Sequence, residues 1–285
     1  MELTHIATRE GRLSSFLRGE MQMSAGLMNK LKWGDSIRVN GASQHTDFFV
    51  RCGDVITVIM QEQTPVYPAE PGELTILYED DHILAVDKPS GMLIHPSHSC
   101  NTGTLANRVL WYFQQTGQQM CFHPLTRLDR DTFGVVLLAK NPHIHHLLQA
   151  GAIKKTYHAI TFGAPEKDAG IIDAPIARKP LPSLLREIRQ DGKPSVTEYR
   201  VLERKGMLCK LELRPITGRT HQLRLHCAYS GFPILGDPQY GTPQTKAYSQ
   251  QRGIATQLLC AKKLEFVHPV FAMPMCILSG MDAGI

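Results

Sequence analysis

The chain has 285 residues, enough for one large domain plus a small one, and its 42% hydrophobic content is that of a folded soluble protein. No apolar run approaches the ~20 residues of a membrane helix, and the start, Met1-Glu2-Leu3-Thr4-His5, lacks a basic-then-apolar signal pattern, so a cytoplasmic protein with no membrane partner is expected. Net charge is +5, but the charges cancel in residues 1–65, sum to −5 in 66–100 and reach +10 in 101–285, which suits a polyanionic partner for the later part of the chain. The seven cysteines are scattered and form no Cys-x-x-Cys pair, which argues against a disulfide framework and against a cysteine zinc site.

Residues 11–60 read as a small domain. Ser24 is placed to cap a helix over residues 25–32, and Ile37-Arg38-Val39 enters an Asn40-Gly41 hairpin turn. Gly53-Asp54 then turns into the strand Val55-Ile56-Thr57-Val58-Ile59. Three prolines and little apolar material in residues 61–73 mark an extended linker. The boundaries drawn are 1–63 for the small domain, 64–74 for the linker, 75–275 for a large domain and 276–285 for a tail. The large domain opens with two strands around the acidic turn Glu79-Asp80-Asp81, followed by a Pro89-Ser90-Gly91 turn.

The densest chemistry lies in His123-Pro124-Leu125-Thr126-Arg127-Leu128-Asp129-Arg130-Asp131-Thr132-Phe133-Gly134, ahead of the apolar run Val135–Ala139 that reads as a buried strand. Asp129 and Asp131 stand two apart, so an extended segment would put both carboxylates on one face, while the neighbouring arginines would hold each ionised. That pattern permits a glycosidase-like carboxylate pair, a nucleophile, or an electrostatic anchor. Further on, His143 and His146 would share a helix face; with no carboxylate or cysteine at ligand spacing they read as a solvated face rather than a metal site. Lys154–Ile160 reads as a strand with Tyr157 and Ala159 on one side. Arg178, Arg186, Arg189 and Lys193 fall in or beside a proline-rich connection and carry no individual assignment. Leu211–Pro215 is a strand, and Thr217-Gly218-Arg219-Thr220-His221-Gln222-Leu223-Arg224 a glycine turn leading into a helix capped by Thr220.

Arg127-Leu128-Asp129-Arg130-Asp131-Thr132-Phe133-Gly134 resembles the Arg-Leu-Asp signature of the RluA-type pseudouridine synthases. The segments around Asp87-Lys88-Pro89, Lys155-Thr156-Tyr157, Thr217–Arg224, Gly231–Gly241 and Leu258–Pro269 extend the likeness over about residues 75–275. The resemblance implies an α/β (α+β) catalytic domain with a largely antiparallel mixed sheet. It also implies a small amino-terminal domain of the ribosomal-protein S-four RNA-binding type. It makes Asp129, Tyr157 and Arg224 catalytic, Arg224 as the partner of Asp129, and gives Arg127 and Leu223 to substrate binding. The implied activity is isomerisation of uridine to pseudouridine in structured RNA, ribosomal or transfer, by a monomer that needs no cofactor and no metal. Thr126, Phe133, Phe232 and Cys260 depart from residues common in the family and leave the subfamily open. A catalytically silent RNA-binding protein and a glycosidase using Asp129 and Asp131 are the competing readings.

Overall fold

The computed structural model describes residues 2–60, 67–97, 100–118, 120–180, 182–183 and 185–284. The small domain comprises β1 (Glu2–Ile6), β2 (Gly11–Arg12), α1 (Leu13–Arg18), α2 (Ala25–Leu31), β3 (Ile37–Val39), β4 (Ala42–Ser43), β5 (Phe49–Val50) and β6 (Val55–Ile59). Its main sheet runs β1-β6-β3-β4, all antiparallel. The first strand, β1, went unread in the sequence. Ser24 does cap α2, its hydroxyl accepting from the Leu27 N–H at 3.1 Å. Asn40 and Gly41 both take positive φ, as a two-residue hairpin turn between strands of right-handed twist requires. Phe16, Leu13, Leu17, Ile37 and Ile56 fill the core of this domain. Residues 61–66 of the expected linker lie outside the described residues.

The large domain adds β7 (Thr75–Glu79), β8 (Ile83–Lys88), α3 (Leu105–Gln115), β9 (His123–Pro124), β10 (Phe133–Ala139), α4 (Pro142–Ala150), β11 (Lys154–Phe162), β12 (Ala169–Asp173), β13 (Ile176–Arg178) and β14 (Arg186–Ile188). It continues with β15 (Val196–Lys205), β16 (Leu208–Pro215), α5 (Gln222–Tyr229), α6 (Pro243–Gln251), β17 (Leu259–Val267) and β18 (Pro274–Leu278). Ten strands form one sheet along β12-β15-β16-β11-β17-β10-β8-β7, with β18 added to β17 and β9 to β10. Every pairing is antiparallel except β10 with β17, so the sheet is the largely antiparallel mixed sheet expected.

Along β8 and β10 the side chains alternate between two cores. Leu84, Val86, Val136 and Leu138 meet Leu105, Val109, Leu110 and Phe113 of α3. Ile83, Ala85, Val135 and Leu137 share a second cluster with Ile144 and Leu148 of α4. His143 is buried with that helix, which corrects the expected solvated histidine face: helix periodicity places it next to Ile144, on the side that packs. The tail expected at 276–285 is corrected as well. β18 pairs with β17 from Lys263↔Leu278 to Val267↔Pro274, and the buried Asp87 accepts from the Ser279 hydroxyl and the Gly280 N–H. A buried carboxylate requires such donors, so the end of the chain is part of the fold.

β17 is where the sheet divides, its beginning lying beside β10 and its later half beside β18. The parallel contact joins Phe133 and Gly134 to Cys260 and Ala261. Gly134 takes φ +109°, and a Cβ there would collide with the Ala261 carbonyl. The glycine five residues after Asp129 thus lets two backbones close up directly behind the motif.

Candidate active site

Asp129 does not lie in an extended segment. The Thr132 N–H donates to the Asp129 carbonyl at 3.2 Å, closing a turn over Arg130 and Asp131. The two carboxylates therefore part, and the expectation that they share a face is corrected. Asp131, nearly buried, accepts from Arg130 at 3.0 Å, while Asp129, its side chain 28% exposed, faces a cleft of about 800 Å³. Below this turn Lys88 is fully buried and donates to the carbonyls of Pro89, Met92 and Arg130 at 2.8–2.9 Å. Burial pulls its ammonium down to about 8, partly offset by the charges of Asp131 and Asp129.

Across the cleft, α5 presents Arg224. Its Nη1 donates to Asp129 Oδ2 at 2.9 Å, and its Nε and Nη2 form a two-pronged bridge to Asp237 at 2.7 and 2.9 Å. Nη2 also donates to Gln239 Oε1 at 2.8 Å, and the guanidinium lies 5.2 Å from the centre of the Tyr240 ring. Burial opposes charge on both Arg224 and Asp237. Their mutual hydrogen bonds outweigh it, aided for Asp237 by the N–H groups of Tyr240 and Gln239 and for Arg224 by Asp129, so both stay ionised. Planar, two-pronged donation is what arginine supplies and lysine does not. The wholly buried Asp237 is the residue that sequence reasoning missed. Its signal was Gly236-Asp237-Pro238, in which Gly236 takes φ +77° and leaves no room for a Cβ, which would collide with the Thr256 carbonyl.

The approach to α5 also differs from expectation. Thr220 is not its cap. His221 occupies that position in the left-handed conformation, φ 58°, without a capping side-chain bond. The turn is braced by Gln222, whose Oε1 accepts from the Thr217 hydroxyl and the Arg219 N–H, and whose Nε2 donates to the Val196 carbonyl and the Thr197 hydroxyl. Such a left-handed non-glycine residue is strained unless its neighbours hold it, and the ring does so, its Nδ1 lying 2.9 Å from the Tyr240 hydroxyl.

Tyr157 is nearly buried on β11, with Ala159 on the same side, and lines the cleft. Burial, reinforced by the negative charge of Asp129, raises its phenol far above the usual range, so it stays protonated. Arg127 is exposed at the rim, and Leu223 is buried in the wall. Asp129, Tyr157, Arg224, Arg127 and Leu223 therefore all line one cleft. Among the described residues no group of three or more His, Cys, Asp or Glu is placed to hold a metal ion, and no helix is long and apolar enough to cross a membrane.

An acid held by a buried arginine in a cleft beside a mixed sheet defines a class that comparison with known proteins specifies. The family model described as RNA pseudouridylate synthase matches residues 82–229. The chain is 31% identical over 291 residues to the ribosomal large subunit pseudouridine synthase C of Vibrio cholerae, covering 96% of this chain and 90% of that one. It is 36% identical over 258 residues to the ribosomal large subunit pseudouridine synthase D of Xanthomonas campestris, covering 86% and 77%. Among solved structures, the human RNA pseudouridylate synthase domain containing 4 aligns with TM-score 0.57 at 26% identity, over 72% of this chain and 87% of that one. The chain belongs to the RNA pseudouridine synthase family. It is an isomerase that converts uridine in RNA to pseudouridine.

Proposed function

We propose that the substrate is a folded ribosomal RNA of the large subunit, and that Asp129 is the carboxylate that acts on the target uridine. The names of the relatives from Vibrio cholerae and Xanthomonas campestris support the first half. The observation that carries the second is the chain of contacts from Asp129 through Arg224 to Asp237. It presents one carboxylate to the cleft and anchors its partner on another that is fully buried.

The reaction breaks the bond from the ribose to the ring nitrogen of uracil, turns the ring and joins ring carbon five to the same ribose carbon. The proton on carbon five is given up and the ring nitrogen gains one, so the balance requires no oxidant, reductant or transferred group. Asp129, held in place by the bond from Arg224, either attacks or assists departure of the base. Its orientation is fixed before substrate arrives, as preorganised electrostatic catalysis demands. Tyr157 packs against the uracil. A neutral phenol accepts the proton from carbon five only while handing its own on, so the relay runs through the Asp129 carboxylate nearby. Leu223 supplies apolar contact to the ring. Taking the uridine out of its stack costs a few kcal/mol, and Arg127 at the rim fills the space it leaves. The small domain of residues 1–63 adds affinity or target choice for RNA, and the enzyme acts as a cytoplasmic monomer.

Asp129→Asn tests the assignment. It keeps shape and the bond from Arg224 while removing the anion. Turnover should disappear, measured by nucleoside chromatography of digested RNA because product and substrate have equal mass, while RNA binding persists. Full turnover by Asp129→Asn, or greater damage from Asp131→Asn, would move the role off Asp129.

A further inference from the structure

Beside the cleft lies a second, smaller cavity of about 360 Å³ that the mechanism does not use. One wall is the β13–β14 hairpin, in which Arg178 pairs with Arg186, and the other is the Gly218-Arg219-Thr220 loop. Those same three loop residues line the catalytic cleft, so the two spaces adjoin across this loop. Arg178, Lys193 and Arg219 line the groove and are exposed. Arg219 is steadied across it by a 3.3 Å bond from its Nε to the Pro194 carbonyl. Arg186 also lines it, but its charge reaches His221 and its main-chain N–H donates to the Tyr240 hydroxyl, so it belongs equally to the cleft. Among the described residues the one carboxylate lining the groove, Asp191, is paired with Arg189.

A solvated patch would scatter such charges. Here they converge on a concave space leading away from Asp129. We propose that this groove binds the backbone phosphates of the RNA strand next to the nucleotide held in the cleft, with Arg178, Lys193 and Arg219 as the contacting cations. The inference rests on the RNA reading of the cleft and adds a second site to it. Such contacts fix the register of the strand without reading its sequence.

The test is the double variant Arg178→Gln/Lys193→Gln, both positions being exposed, titrated with an unmodified large-subunit ribosomal RNA transcript over a range of salt. Expected are about tenfold weaker binding at low salt, a salt-dependence slope reduced by roughly 0.7 to 1.8 for one or two lost phosphate contacts, and unchanged turnover at saturating RNA. Arg178→Lys/Lys193→Arg should restore both affinity and slope. A wild type that binds and isomerises the transcript while the double variant matches it in affinity and slope overturns the groove alone. Equal weakening by Lys167→Gln/Lys205→Gln, which removes the same charge from exposed positions elsewhere, overturns it too. A wild type that binds no RNA at low salt overturns this proposal together with the reading it rests on.

Discussion

In the small domain, side-chain bonds join near neighbours in sequence: His5 with Glu20 and Asn40 with Asp54 are 15 and 14 residues apart. In and behind the cleft, Arg224 reaches Asp129 across 95 residues and the buried Gln257 reaches Thr132 across 125. The first region is built from local signals that act residue by residue. The second is a meeting of distant segments, whose chemistry exists only once the ten-stranded sheet has formed. Damage at one should therefore remain local and cheap, and damage at the other should remove stability and activity together.

Arg224→Met would break the comparison at its strongest point. It leaves Asp237 buried and unpaired, which costs about 3 to 5 kcal/mol, and frees Asp129 from its anchor, so turnover should vanish as well. The stability cost arises chiefly at Asp237, because Asp129 keeps contact with water. Adding Asp237→Leu should accordingly recover most of the melting temperature in thermal denaturation, yet no activity. A double variant as unstable as Arg224→Met would show that the buried pair is not what holds α5 in place.

Removal of residues 1–63 comes next. The large domain should stay folded by circular dichroism and continue to form pseudouridine, with RNA affinity or target choice reduced. A truncated enzyme with unaltered affinity and target choice would leave the small domain without a part in recognition.

His123, where the motif begins, titrates between the two regions. Burial, aided by His145 and by Lys30 of the small domain, lowers its imidazole to about 4. Its folded value lies below the ordinary 6.5, so its contribution is complete above pH 6.5 and fades as pH falls through about 4. Urea denaturation should record a loss of about 2 to 3 kcal/mol over that window, reduced in His123→Gln. An equal loss in the variant would place the acid sensitivity elsewhere.

The sequence disclosed these regions unequally, for physical reasons. Ser24 and the Asn40-Gly41 turn are legible because a cap and a hairpin turn each require particular residue types within four positions. The five cleft residues were legible only as parts of motifs, since nothing in spacing says that Arg224 meets Asp129. Asp237 escaped because an acid among prolines and glycines reads as an exposed turn until the arginine it faces is known. The expected shared face of Asp129 and Asp131 failed because period-two reasoning holds for strands, and the chain turns between them. The cap assigned to Thr220 failed because the side chain of Gln222, inside the helix, satisfies the preceding turn instead.

The smallest expected effect gives the sharpest view of how separate the regions are. α2 has seven residues, one of them Gly26, too short and too poor a helix to stand without its cap and its packing through Leu27 and Leu31. Ser24→Ala removes the acceptor for the Leu27 N–H and should cost ~1 kcal/mol. If the two domains unfold independently, that loss appears as a downward shift of one calorimetric transition, the other staying fixed and turnover of a saturating substrate unchanged. If both transitions move together, the small domain and the cleft form one cooperative unit. The influence of Lys30 on His123 would then be a sign of a working interface, and the contrast between a local and a long-range region would hold for assembly alone.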